Sequence, residues 1–324
     1  MWRAVSAAVA VLVGTAALVA PTPAGARVVS HAAARSRAAV GSPPPSRSIY
    51  ETVASGPALY RQGRAAGGAG VQGAVILDFG RPAYRSATYG TMDFSDRFVS
   101  LADMATAVEN YVAGYFASAP AHTSLEVIVG TNNSCGTGQP CPRSGTRSCG
   151  CRYEPASYYQ WGRRFALAVA EASSWATDTR WRHGFTDYVQ VVAGDDAEPG
   201  FDPGYRNTYA LLSGYAAVGT GLTMVDFGDA APGPWTREQL YQVAYGLAPN
   251  VPFPEIYYPG QAAEWAALAR YALVHHGKLM RFAGVLSQDP EGNTAGQAYS
   301  QLVAALRPVT GQGSVRWASQ IGFP

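Results

Sequence analysis

From about Val71 onward, short apolar runs alternate with longer stretches whose apolar residues recur every three or four positions. The runs are Ala74–Leu77, Leu125–Val129, Tyr188–Ala193, Leu222–Phe227, Phe253–Tyr258, Arg281–Leu286 and, less apolar, Ser314–Ile321. Runs this short, without strict polar alternation, predict strands buried on both faces. The stretches between them predict helices. Ser100 and Asp103 form a capping box ahead of Leu101, Met104, Val108, Tyr111, Val112 and Tyr115. Residues 157–176 place Trp161, Phe165, Ala168, Ala172 and Trp175 on one face. Thr236 with Gln239 opens another helix, and Gly246 is its expected C-cap. Residues 204–218, 261–276 and 295–306 complete the set.

Strands alternating with helices at this spacing give an α/β fold with a parallel sheet. After the first run, Phe79-Gly80-Arg81-Pro82 lacks the G-x-G-x-x-G pattern, which argues against a dinucleotide site. The stretches after the first two strands, 80–100 and 131–154, are long, whereas the returns at 119–124 and 219–220 are short. Function in a (β/α) barrel concentrates on the strand-to-helix side. The reading is therefore a (β/α)8 TIM-type barrel over 71–324, irregular, with six or seven visible strands rather than eight.

The segment before it reads differently. Arg3 precedes an apolar stretch from Ala4 to Ala20, then Pro21, Pro23 and Ala24-Gly25-Ala26, so residues 1–26 read as a signal peptide cleaved after Ala26. Residues 27–70, with Pro43-Pro44-Pro45 and Gly67-Gly68-Ala69-Gly70, read as a flexible Ala/Pro/Gly-rich linker. The expected product is secreted, with no stable membrane insertion after cleavage.

Export changes the reading of Cys135, Cys141, Cys149 and Cys151, which become candidates for two disulfides. A bridge between Cys149 and Cys151 would close a strained ring, so both remaining pairings join Cys135 and Cys141 to the later two. Of these, 135–151 enclosing 141–149 is preferred. Zinc is disfavoured because no C-x2-C pair occurs. The 24 Lys and Arg nearly balance 22 Asp and Glu, and the single lysine is Lys278. No concentrated basic face points to nucleic acid. A monomer without metal or cofactor is expected.

Candidate chemistry gathers just past the strand ends. Asp78 closes the first run, Asn132 and Asn133 follow the second, and the third leads into Asp195-Asp196-Ala197-Glu198. Asp226 lies in the fourth run, Tyr257 in the fifth, and Gln288 follows the sixth. In extended chain, positions i and i+2 share a face, which sets Asp196 beside Glu198. Neighbouring buried carboxylates push at least one ionisation upward, and such an acid can protonate a glycosidic oxygen at neutral pH. Glu198, Asp196 and Asp78 are therefore the catalytic candidates, with Asn132, Asp226, Tyr257 and Gln288 as substrate-binding candidates. No G-x-S-x-G occurs, and the five histidines make neither a metal cluster nor a triad.

Ala74-Val75-Ile76-Leu77-Asp78 together with Asp196-Ala197-Glu198 resembles the secreted glycoside-hydrolase-like barrels. The chain also looks like a group of exported actinobacterial-type proteins with this barrel. Barrel-type muramidases carry a strand-end acid on the first strand and a D-x-E after the fourth. Here the D-x-E follows the third visible strand. The resemblance implies Glu198 as acid, Asp196 and Asp78 as assistants, and a polysaccharide such as cell-wall glycan as partner. The expected function is an exported glycoside hydrolase. Its rival is a non-catalytic secreted barrel that binds glycan or protein.

Overall fold

A computed structural model describes residues 41–120, 123–134, 155–182, 189–202, 204–231, 233–247, 249–288, 290 and 292–324. The expected signal peptide, the linker up to residue 40 and the four cysteines lie outside the described residues.

Eight parallel strands form a nearly closed barrel. In chain order they are β1 (Ser46–Tyr50), β2 (Gly73–Asp78), β6 (Leu125–Asn132), β7 (Val189–Asp196), β8 (Met224–Asp226), β9 (Asn250–Pro252), β10 (Gly284–Ser287) and β11 (Trp317–Gly322). Pairing runs in chain order around the sheet, and β11 returns to β1 with Ser46 opposite Ser319. The seam between β9 and β10 is bridged by Ala283 N donating to Pro252 O, Leu286 N to Pro254 O and Ile256 N to Leu286 O, each at 2.9 Å. Among the described residues seven α-helices lie between the strands: α1 (Gly56–Gly68), α2 (Leu101–Phe116), α3 (Pro155–Arg182), α4 (Arg206–Ala216), α5 (Arg237–Tyr241), α6 (Gln261–His276) and α7 (Ala295–Thr310). An antiparallel sheet of β3 (Arg81–Arg85), β4 (Thr88–Met92) and β5 (Phe98–Ser100) is inserted between β2 and α2. Among the described residues no helix is long and apolar enough to cross a membrane.

Side-chain alternation builds two apolar layers. Val75, Leu77, Val127, Val129, Val191 and Ala193 face the helices, while Ala74, Ile76, Ile128, Val192, Val225 and Phe253 fill the barrel interior. Both faces being covered is why these runs carry so little polar alternation. The interior alternates small with large. A Cβ at Gly194 would lie 2.5 Å from Ile128 Cγ2, and one at Gly130 would lie 2.9 Å from Phe227 Cζ.

The segment 27–70 requires correction from Ser46 onward. β1 and α1 are the first βα unit of the barrel and supply the strand that the apolar pattern lacked. Polar residues make this strand because their hydroxyls do ladder work: Ser48 Oγ accepts from Ile76 N at 2.8 Å and lies 2.6 Å from Ser319 Oγ. α1 carries its glycines for close packing. Leu59, Gly63 and Gly67 make its buried stripe, and a Cβ at Gly63 would overlap the Tyr111 carbonyl of α2. The 80–100 stretch, expected as a long loop, is largely the β3–β5 sheet.

The two N-terminal capping signals hold, but Gly246 is not the C-cap of α5: Gln242 is, and Gly246 lies inside the turn that follows, which Leu247 caps. Ser100 accepts from Asp103 N, and Thr236 with Gln239 forms a reciprocal box. After α5 the chain widens into a π-helical turn over Gln242–Gly246.

Candidate active site

Because all eight strands are parallel, their C-terminal ends share one rim, and the acidic residues converge there. Asp196 ends β7 on the interior side, two and four residues beyond Gly194 and Val192, and pairs in register with Asn132 of β6. Glu198 follows two residues later. Glu255 lies just beyond β9, bridged to Leu286, and points inward with its neighbours Phe253 and Tyr257. One carboxylate oxygen each from Asp196, Glu198 and Glu255 lies within 4.8 Å of the others. Asp78, at the end of β2, adds a fourth carboxyl group that acts on both Asp196 and Glu255.

The surroundings decide what these groups can do. Tyr257 OH donates to Glu255 Oε1, and Tyr50 OH lies 3.3 Å from Tyr257 OH. Asp78 Oδ1 accepts from Gly80 N at 2.8 Å, whereas Asp78 Oδ2 and Asp196 Oδ1 are buried without a hydrogen-bond partner. Among the described ion pairs, none reaches these four acids. Burial, with no cation among the described residues to offset it, holds protons on the cluster. It raises Asp78 to about 7. Burial and then the neighbouring Asp229 raise Glu198 to about 7. Asp196 is pushed well above the usual carboxylate range by burial and then by Glu255, Glu198, Asp78 and Asp195. Glu255 is likewise pushed well above the usual carboxylate range by burial, with the Tyr257 hydroxyl opposing this in part and Glu198, Asp229 and Asp78 adding to it.

Glu198 is held through its backbone. Asn133 Oδ1 accepts from Glu198 N at 3.0 Å, and Asn133 Nδ2 donates to Glu198 O at 3.0 Å. The same amide donates to Thr208 Oγ1 at 3.0 Å, which in turn donates to Asp202 Oδ2 at 3.0 Å. Asp202 also accepts from the backbone N–H groups of Asn207 and Thr208, tying the Glu198 turn to the start of α4. Trp235 Nε1 donates to Asp202 O at 2.7 Å.

The structure thus brings together Asp78, Asp196, Glu198, Asn132 and Tyr257. Gln288 is half-buried just after β10, on the same rim. Asp226 lies elsewhere. Its neighbours Val225 and Phe227 face the interior, so it projects toward the helix side, in register with Asp195. There its Oδ1 accepts from Gly228 N at 3.2 Å. Three contributors escaped the sequence reading: Glu255, Tyr50 and Asn133 as the anchor of Glu198. The alternation of Phe253, Glu255 and Tyr257 was the available signal for Glu255.

Asp196, Glu198 and Glu255 are also the described residues that could hold a divalent cation, since three converging carboxylate oxygens suit a hard ion. Comparison with protein-family models finds no match to this chain, and comparison with curated proteins finds none either.

Proposed function

We propose that the chain is an exported glycoside hydrolase that cleaves a polysaccharide by a retaining mechanism. One observation carries this reading: a pair of glutamates, Glu198 and Glu255, at the C-terminal rim of the barrel, with one carboxylate oxygen of each within 4.8 Å of the other. Retaining enzymes hold their two carboxyl groups about 5–5.5 Å apart, while inverting enzymes leave about 6.5–9.5 Å for a water.

Burial raises both glutamates, so exposure divides the roles. Glu198, raised to about 7 and less enclosed than Glu255, is the general acid. Its proton passes to the glycosidic oxygen as the C1–O bond breaks and that electron pair goes to the leaving oxygen. Glu255 is the nucleophile and, once its proton has left, forms an ester to C1; Tyr257 donates to it and offsets only in part the burial that raises it well above the usual carboxylate range. Water then attacks C1 as Glu198 takes its proton, which frees Glu255 and restores the acid. Asp196 lies within reach of both and shares the cluster's protons, so that the charges at Glu198 and Glu255 can alternate. Asp78 backs Asp196 and Glu255 from β2.

The test is the secreted protein and its Glu198→Gln and Glu255→Gln variants on a panel of glycans, with the product anomer read by NMR. The reading expects loss of turnover in both variants and a retained anomer. Saturable glycan binding without turnover in the wild type would support the non-catalytic barrel instead. Activity abolished by a chelator and restored by a divalent cation would assign the three carboxylates to a metal.

A further inference from the structure

Beside the carboxylates the rim carries an aromatic surface. Tyr50 at the end of β1 lies 4.8 Å, ring to ring, from Phe94 and 5.2 Å from Phe323, which follows β11. Phe94 and Phe323 meet edge to face at 5.9 Å. These rings come from three separate parts of the chain. Phe94 belongs to the insertion, in the turn between β4 and β5, and its N–H donates to Glu51 O at 3.0 Å. That turn is built firmly: the buried Asp93 Oδ1 accepts from Ser95 N and Arg97 N, both at 2.9 Å. Phe323 is 58% exposed, which leaves an apolar face open to solvent. Tyr50 connects this face to the acids, because its hydroxyl meets Tyr257, which donates to Glu255.

An open aromatic face continuous with a nucleophile's hydrogen-bond partner suits a ligand with one apolar and several polar faces. A pyranose whose substituents are all equatorial presents such a face, because its axial C–H bonds point to one side or the other. Aromatic rings stack on apolar faces while hydroxyl groups stay hydrated. Charge narrows the class further. The acids of the mouth are held toward their protonated forms and no cation among the described residues stands beside them, so a carboxylate-bearing sugar would lose its hydration there without gaining a counter-charge. The geometry points to Tyr50, Phe94 and Phe323 as a stacking subsite for a neutral, gluco-configured pyranose unit next to the scissile bond. The substrate class is then a neutral glycan of glucose or N-acetylglucosamine type rather than a polyuronate. This rests on the hydrolase reading for the phrase "next to the scissile bond" but not for the binding itself.

The experiment compares the wild type with Phe323→Ala, Phe94→Ala and Phe323→Trp, each first checked for unchanged thermal unfolding. Cello- and chito-oligosaccharides are the neutral probes, and oligogalacturonate is the acidic one. Stacking by one ring predicts a KM or Kd for the neutral probes raised roughly 3- to 10-fold in each alanine variant, with kcat much less affected, and affinity restored by Phe323→Trp. Wild type that binds neutral probes without cleaving them, with binding weakened by Phe323→Ala, supports the subsite and sinks the hydrolase reading. Cleavage of neutral probes with KM unchanged in both alanine variants overturns the subsite and leaves the hydrolase standing. Tighter binding of oligogalacturonate, or no binding of either neutral probe, also overturns the subsite.

Discussion

Asp78 offers the sharpest check on the claim that burial keeps this cluster protonated. It is fully buried, one oxygen bonded to Gly80 N and the other without a partner. Burial moves its ionisation from 3.8 to about 7. The folded chain therefore holds a proton that the unfolded chain has released between those two values. Stability from this group is fully present below 3.8, falls as pH rises toward 7, and is lost above it. At 1.36 kcal/mol per pH unit, the interval from 3.8 to about 7 amounts to ~4 kcal/mol, an upper bound before the structure relaxes. Asp78→Asn keeps the acceptor for Gly80 and never ionises. We expect it to stabilise the protein by ~1–3 kcal/mol at about pH 8.5 and to change little at about pH 3.5. For a chain of this size, each kcal/mol is about 2–4 °C in Tm. Urea denaturation at the two pH values measures the difference directly. A variant no more stable than wild type at the higher pH would refute the argument that an ionised Asp78 is costly in this fold.

Three other outcomes follow from the same geometry. Catalysis should decline as pH rises through about 7, because Glu198 must enter the reaction protonated; a pH–rate profile flat from 6 to 8 would remove it from the acid role. Asn133→Ala removes both side-chain bonds that hold the Glu198 backbone and should lower kcat roughly 10-fold or more, with the overall unfolding profile little changed. Gly194→Ala places a methyl 2.5 Å from Ile128 Cγ2 inside the barrel and should cost ~1–3 kcal/mol, read by urea denaturation.

Where the sequence was legible, a single physical signal decided the matter. Val75, Val127 and Val191 sit against helices while Ile76, Ile128 and Val192 fill the interior, and the resulting apolar runs announced buried parallel strands. β1 sends no such signal, because its inward side chains include serines that bond to the neighbouring strands instead of packing as hydrocarbon. α1 resembled a linker because helix-to-helix contact at Gly63 leaves no room for side chains. The acids show the same limit. Asp195 and Asp196 are adjacent, yet alternation sends Asp196 to the mouth and Asp195 to the helix side beside Asp226. Composition reports both as acids; only strand parity separates them.

Recovering β1 also changes how the acidic motif sits in the barrel. Counted from β1, β7 is the fourth strand, so Asp196-Ala197-Glu198 follows the strand after which barrel-type muramidases carry their D-x-E. The same recount moves Asp78 to the second strand and leaves Tyr50 at the end of the first. The recount thus agrees with the expected place of the D-x-E and disagrees with that of the first-strand acid. The chemistry can accommodate that exchange, because the group facing Glu198 is then supplied by Glu255, beyond the sixth strand, with Tyr257 and Tyr50 steadying it. In the proposed hydrolase Asp78 is a buried neighbour that raises the proton affinity of Asp196 and Glu255 without having to touch the substrate. Its removal by Asp78→Asn should therefore lower the pH at which the cluster releases protons and leave catalysis largely intact, whereas Glu255→Gln should abolish it. Equal loss in both variants would return Asp78 to the reacting centre.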